Sequence, residues 1–330
     1  MENHGWGISV ETEEDASGRP PWIREAILAG QQYHARTKTP WRHNAINLFA
    51  LTVLIALGSA VAWAGTIVTP VVYIPLAAFA FGNLYFAAVI LVIHEASHEM
   101  FVIGQNKKLR HFINHLAGWT VAVFIATNYT VHWEVGHLEH HVRPLEPSDP
   151  QGHNIFTGRR LLLRVLGCLF VPGYLFLERT VLRKKDREGK SGSTGAAIVA
   201  FVIAWGAALT VLTLFVGWPV AVAAFLGVQV LVAFNHAKGS LEHGGAIGHE
   251  AEFYLRSRTN FFFGRRMLMP FNITMHFEHH LNGSVPWYDL VRYHRDLRPI
   301  VPAHVQEGVW NHHPLSQISG ALGGVPQPTA

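Results

Sequence analysis

The chain has 330 residues, 49% hydrophobic and only 15% charged, with a formal net charge of +4. A soluble globular domain carries about 25% charged residues, so the balance points to a membrane protein, and no nucleic-acid partner is expected. The single cysteine, Cys168, excludes an internal disulfide and a thiolate cluster, so any metal must be held by nitrogen and oxygen; the 22 histidines are the unusual count.

The first 15 residues contain Glu2, Glu11, Glu13, Glu14 and Asp15 and no Lys or Arg. That is the wrong sign for a secretory signal, which needs a basic start. The chain is expected to enter the membrane through its own helices, with residues 1–44 as a cytoplasmic N-terminal segment. Four apolar runs follow, at about 45–65, 71–93, 196–216 and 218–235. Each approaches or exceeds the roughly 20 residues that cross a hydrocarbon core as a helix. Gly65–Pro70 and Gly217-Trp218-Pro219 are short connectors, so the runs read as two helical hairpins. No Lys or Arg lies between 45 and 106 or between 191 and 237. The three basic segments therefore share one face, which the positive-inside rule makes cytoplasmic, together with both termini.

Two shorter apolar stretches, 116–127 and 161–178, read as interfacial helices; the second carries Arg164, Pro172 and Gly173. Arg179, Arg183, Lys184, Lys185, Arg187 and Lys190 are expected at anionic headgroups, with a solvated basic loop as the alternative. The domain expectation is a membrane unit over 45–300 and a partly disordered tail over 301–330.

Where the second run ends, His94-Glu95-Ala96-Ser97-His98 spells H-E-x-x-H. That is the zinc-protease helix motif, with Glu95 as base. Two further constellations follow. "HWEVGHLEHHVRP" holds His137, His140 and His141, and "FNITMHFEHHLNG" holds His276, His279 and His280. Residues at i, i+3 and i+4 line one helical face. Interfacial histidines would account for one such set, but three on one predicted face exceed chance. A catalytic zinc takes three protein ligands and keeps a position open, so eight imidazoles are too many for one ion. Divided between two ions they give about four or five donors each. Imidazole suits zinc, copper, iron and nickel alike, so spacing leaves the element open. His111, His115, His132 and His236 fit no box and read as interfacial or structural. Phe79, Phe81, Tyr85 and Phe86 read as helix-packing or lipid-facing residues, with a substrate channel as the alternative.

The three boxes, in this order and with this hairpin topology, resemble the membrane-bound fatty-acid desaturase and hydroxylase superfamily. The likeness covers roughly 45–300 and is most specific in "SLEHGG", "RSRTN", "NITMHFEHHLNGSVPWYDL" and "YHRDL". It implies an all-α integral membrane fold, two transmembrane hairpins under a cytoplasmic helical cap that carries a histidine-rich dimetal site. It further implies two non-haem irons held by His94, His98, His137, His140, His141, His276, His279 and His280, with His243 of Leu241-Glu242-His243 as a ninth ligand. Asn272, four residues before His276, is a possible water-mediated ligand on the same helical face. Glu95, Glu139, Glu242 and Glu278 neighbour ligands in sequence and are candidate acceptors for the outer ring nitrogens. In this reading the H-E-x-x-H match is coincidental; a membrane zinc protease would leave both H-x-x-H-H boxes idle. A metal transporter would place ionisable residues inside the spans, and none precedes Glu95.

The implied activity is O2-dependent oxidation of an unactivated C–H bond in a lipid-like substrate. Fatty-acyl desaturation leads; hydroxylation or ketolation of a lipid, alkane or carotenoid is the alternative. The chain has no Gly-rich dinucleotide fingerprint, so electrons are expected from a separate ferredoxin, rubredoxin or cytochrome b5 and its reductase. One departure stands out. Acyl desaturases often continue His-His-x-Phe-Pro-x-Val-Pro, whereas this chain reads His279-His280-Leu281-Asn282-Gly283-Ser284-Val285-Pro286. Asn-Gly leads one to expect a turn with positive φ.

Overall fold

The computed structural model describes residues 20–152, 155–171, 173–177 and 194–312. The acidic N-terminal stretch, the basic cluster over 179–190 and the Gly/Pro-rich end lie outside the described residues. Among the described residues, four helices are long and apolar enough to span a membrane: Pro40–Ala64, Pro70–Ser97, Gly195–Phe215 and Trp218–His243. Pro40, Pro70 and Pro219 sit in the first turns of three of them, where a missing N–H costs nothing.

The spans form an inner and an outer pair. In the second and fourth, 61% of the apolar window is buried in protein, against 6% and 11% in the first and third. The inner pair crosses at glycines: a Cβ on Gly82 would lie 2.5 Å from the Val230 side chain, and one on Gly227 2.8 Å from Phe81. Small residues let membrane helices approach closely. Phe81 and Phe86 are buried in this packing, and Phe79 meets Phe234 edge-on.

Both inner spans run past their apolar limits, the second to Ser97 and the fourth to His243. Hydropathy falls where the polar residues begin, but backbone hydrogen bonding does not. His243 therefore stands on the last turn of the fourth span, not in a loop beyond it. The second span also changes pitch. Val89–His94 is a π-turn with every residue buried, so His94 and His98 do not lie on a uniform α-helix. A second π segment, Thr130–Val135, leads directly into the helix Gly136–Val142 that carries the second box. π-turns are rare and concentrate at functional sites; here each immediately precedes or includes a histidine of a box.

The cap comprises Lys107–Ala122, the box-two helix, Gly158–Phe170, the box-three helix His276–Leu281, Leu290–Leu297 and Ala303–Val309. Gly158–Phe170 exposes Leu162, Leu163, Leu166 and Phe170 alongside Arg159, Arg160 and Arg164, the pattern of a helix lying in an interface. The fold is all-α apart from one two-residue parallel pairing among the described residues, Thr259–Asn260 with Trp310–Asn311. Packing also crosses both expected boundaries. Ile23 and Ala26 of the N-terminal helix Pro21–Gln31 share one core with Phe277, Leu281, Tyr293, Val305, Val309 and Trp310. The Tyr293 hydroxyl donates to the Ala26 carbonyl at 2.9 Å. Residues before 45 and after 300 thus join Ile247, Val285 and Leu290 in covering the box-three helix.

Candidate metal centre

The nine sequence-predicted histidines converge in two groups. His94, His98, His137, His141 and His279 form one, and His140, His243, His276 and His280 the other; within each, donor atoms lie within 4.8 Å of one another. The division follows helix geometry more finely than the sequence reading did. In every box the i and i+4 rings stay together: His94 with His98, His137 with His141, His276 with His280. The i+3 rings, His140 and His279, turn to the other group. Each H-x-x-H-H helix therefore contributes to both groups. Stacked rings of His141 and His280, 4.3 Å between centroids, join the two.

The nitrogens face one another at contact distance. His98 Nε2 and His141 Nε2 lie 3.1 and 3.2 Å from His137 Nε2. His243 Nε2 lies 3.2 Å from His140 Nε2 and 2.8 Å from His276 Nε2, which is 3.0 Å from His280 Nε2. Outer partners assign the tautomers. His140 Nδ1 donates to the Asp149 carboxylate at 2.8 Å, and His243 Nδ1 to the Arg256 carbonyl at 2.7 Å. Both acceptors are acceptors only, so the two Nε2 atoms meet lone pair to lone pair. Proton sharing does not relieve this. Burial holds His137, His141, His276, His279 and His280 well below the ordinary imidazole value and takes His98 down to about 3. Both ring nitrogens of His94, with His276 Nδ1 and His279 Nε2, are buried without hydrogen-bond partners among the described residues. Neutral, buried, convergent nitrogen donors are what a borderline transition-metal ion requires. Five imidazoles around His94 and His98 also exceed a zinc protease's three.

The outer partners differ from those expected. Asp149, fully buried, holds His140 and accepts the N–H groups of Leu145 and Gln151 at 2.9 and 2.8 Å. Burial raises its pKa, but the His140 contact and these N–H groups outweigh that and leave it below the usual carboxylate value. Gln151 Oε1 faces His137 Nδ1 at 3.2 Å. Neither residue has a periodic relation to its ligand, and the only signal in the sequence is an Asp in a Pro-flanked loop. Of the four glutamates, Glu242 alone reaches a ligand on another helix, 3.4 Å from His276 Nε2, while also pairing with Lys238 at 2.5 Å. Glu95 stands 3.6 Å from its neighbour His94. Glu139 accepts from Ser148 at 2.9 Å, and Glu278 accepts from Thr259 and from His294 at 2.6 Å; neither of these two touches a ligand.

Asn272 is also displaced from its expected place. It has φ +52 and lies in a turn, because the third-box helix starts only at His276. Its amide donates to the Trp287 carbonyl at 3.0 Å. The Asn282-Gly283 turn needs no positive φ. Its glycine answers a different demand: a Cβ there would lie 3.1 Å from the His98 ring and 3.6 Å from His141.

A cavity of about 170 Å³ opens beside both groups, bordered by Val89, Ile90, Leu231 and Val232 and by His94, His137, His140, His243 and His276. Fold and site together define an integral membrane protein with a buried histidine-built metal centre. A family model described as fatty acid desaturase matches residues 77–308, which contain all nine histidines. The chain belongs to the fatty acid desaturase family, and so to a family of oxidoreductases. No curated protein and no solved structure matches it.

Proposed function

We propose that this protein is an O2-dependent oxidase of lipid C–H bonds that uses two irons, and that its principal reaction is desaturation of a fatty-acyl chain. The observation that carries the reading is the grouping of nine buried imidazoles into five and four in a member of this family. His94, His98, His137, His141 and His279 hold one iron in this reading; His140, His243, His276 and His280 hold the other.

The irons, when bound, supply the oxygen and electron chemistry that side chains lack. The chain does the rest. Asp149 and the Arg256 carbonyl fix the tautomers that aim the Nε2 atoms of His140 and His243 inward. Val89, Ile90, Leu231 and Val232 give the cavity an apolar wall that takes a hydrocarbon segment and keeps water from it. Lys238 balances the Glu242 carboxylate beside His276. Electrons come from a separate ferredoxin, rubredoxin or cytochrome b5, drawn as an acidic partner to the basic face. That face, the metal centre and both termini are cytoplasmic in this reading.

Hydroxylation or ketolation stands as the second reading on one observation. The departure from the acyl-desaturase pattern at Asn282-Gly283 falls against the His98 and His141 rings, where it bears on substrate placement. Metal analysis of detergent-purified protein tests the main proposal. Near two irons per chain is expected, falling on His→Ala changes in each box, with O2-dependent loss of two hydrogens from an acyl lipid by mass spectrometry. Gain of one oxygen instead selects the second reading. One zinc, lost with His94 or His98 but indifferent to His140 and His279, overturns both.

A further inference from the structure

Outside the nine-histidine centre, one further group of metal-capable side chains converges among the described residues. His111, His115 and Glu134 each bring a donor atom within 4.8 Å of the others. None belongs to a histidine box. His111 and His115 stand at i and i+4 on Lys107–Ala122, their ring centroids 5.9 Å apart, on one face of the helix. The helix is firmly placed: buried Asn114 donates to the Val102 carbonyl at 2.7 Å and accepts from its N–H at 3.2 Å. Glu134 comes from the π segment ahead of the second box.

Each ring is oriented by a carboxylate. His115 Nδ1 donates to Glu134 Oε1 at 2.7 Å, and His111 Nδ1 to Glu99 Oε1 at 3.1 Å. A carboxylate only accepts, so without metal each Nδ1 carries the hydrogen. His111 is left with its Nε2 lone pair, whereas at His115 the ion would displace the hydrogen between Nδ1 and Glu134 Oε1, 2.7 Å apart, and take both atoms as ligands. A carboxylate-oriented imidazole with an open Nε2, as at His111, is the usual form of metal-ligating histidine. Glu99 stays an orienting group, since its other oxygen takes two bonds from Arg110, at 3.0 and 2.6 Å.

We propose that His111, His115 and Glu134 bind one divalent transition-metal ion of the zinc class. Two imidazoles and one carboxylate are a donor set that zinc accepts. The His111 side chain is 59% exposed, which leaves it free to close on the ion and leaves the remaining position to water. The ion would tie together the approaches to two boxes. Glu99, which orients His111, follows His98 directly, and Glu134 lies three residues before His137.

The test uses full-length, tag-free protein in detergent, equilibrated with zinc and then assayed for each element per chain. The expected result is one zinc beyond the complement of the buried centre. The doubly substituted His111→Ala/His115→Ala protein should lose that zinc and keep the centre's metals, and Glu134→Gln should weaken zinc binding. Zinc should also raise the unfolding midpoint of the wild type but not of the double variant. If the double variant fails to fold, His115→Gln retains a hydrogen-bonding side chain beside Glu134 and takes its place. Absence of the extra zinc overturns the proposal. So does its persistence in the variant, which would assign it to the centre or to other surface histidines. Failure of the two-iron reading would change the centre's metals alone, so the two outcomes are distinct.

Discussion

The buried centre and the surface group His111–His115–Glu134 both use imidazoles one helical turn apart, yet they are built on opposite terms. The centre collects its donors from the second span, the fourth span and two cap helices, and the His276 and His279 residues are only 2% and 1% exposed. Its nitrogens oppose one another at about hydrogen-bond distance, so a cation is needed to relieve them. The surface group draws two donors from one helix, in solvent, with a carboxylate on each ring. Burial converts a set of histidines from a tolerated feature into one on which the fold depends, because an unpaired buried polar group costs free energy that water refunds at the surface.

Substitutions of single donors should separate the two groups of the centre and give the largest effects. His140→Ala and His279→Ala each remove a ring from a different group, so each should reduce metal content by about one ion and abolish oxidation, as elemental analysis and product formation will show. Acid is the next lever. The folded-state pKa values of His98, His137, His141, His276, His279 and His280 lie below the ordinary 6.5. As pH falls through 6.5 the unfolded chain takes up protons that the folded centre refuses. Stability of the metal-free protein should therefore be full above that value and fall below it, by up to about 1.4 kcal/mol per pH unit for each group. Melting curves from pH 8 to 5 with and without metal check the sign; flat curves would contradict the burial argument.

Asp149→Asn should be milder, costing roughly 10–100-fold in metal affinity or activity, while Glu139→Gln, whose carboxylate accepts from Ser148, should match wild type in the same metal titration. Gly82→Val crowds the inner crossing and should cost about 1–3 kcal/mol of stability, read as a lowered unfolding midpoint with metal stoichiometry retained. The smallest effect on catalysis belongs to the surface group. The His111→Ala/His115→Ala variant should turn over substrate at the wild-type rate, and a large loss there would mean that the two groups are coupled.

The four spans and the three boxes were legible in the sequence because each rests on a local regularity, an apolar run about 20 residues long or a helical repeat. The same locality limited the reading. The apolar runs stopped at 93 and 235, whereas the backbone continued to Ser97 and His243 inside packed protein. Asn272 looked helical by spacing from His276, but a positive φ keeps it out of the helix. Glu139 and Glu278 looked like ligand partners by adjacency, yet neighbouring side chains on a helix diverge, and Asp149 reached His140 from a loop.

The sequence by itself determined a membrane chain with eight histidines at helical spacing, since hydropathy and periodicity are written residue by residue, and the family resemblance added His243 as a ninth. Only the tertiary structure decided how those histidines divide, five and four, with each H-x-x-H-H helix serving both groups. It also decided that residues before 45 and after 300 help to bury the third box. These outcomes depend on how helices cross and which rings then meet, and those are contacts between segments far apart in the chain.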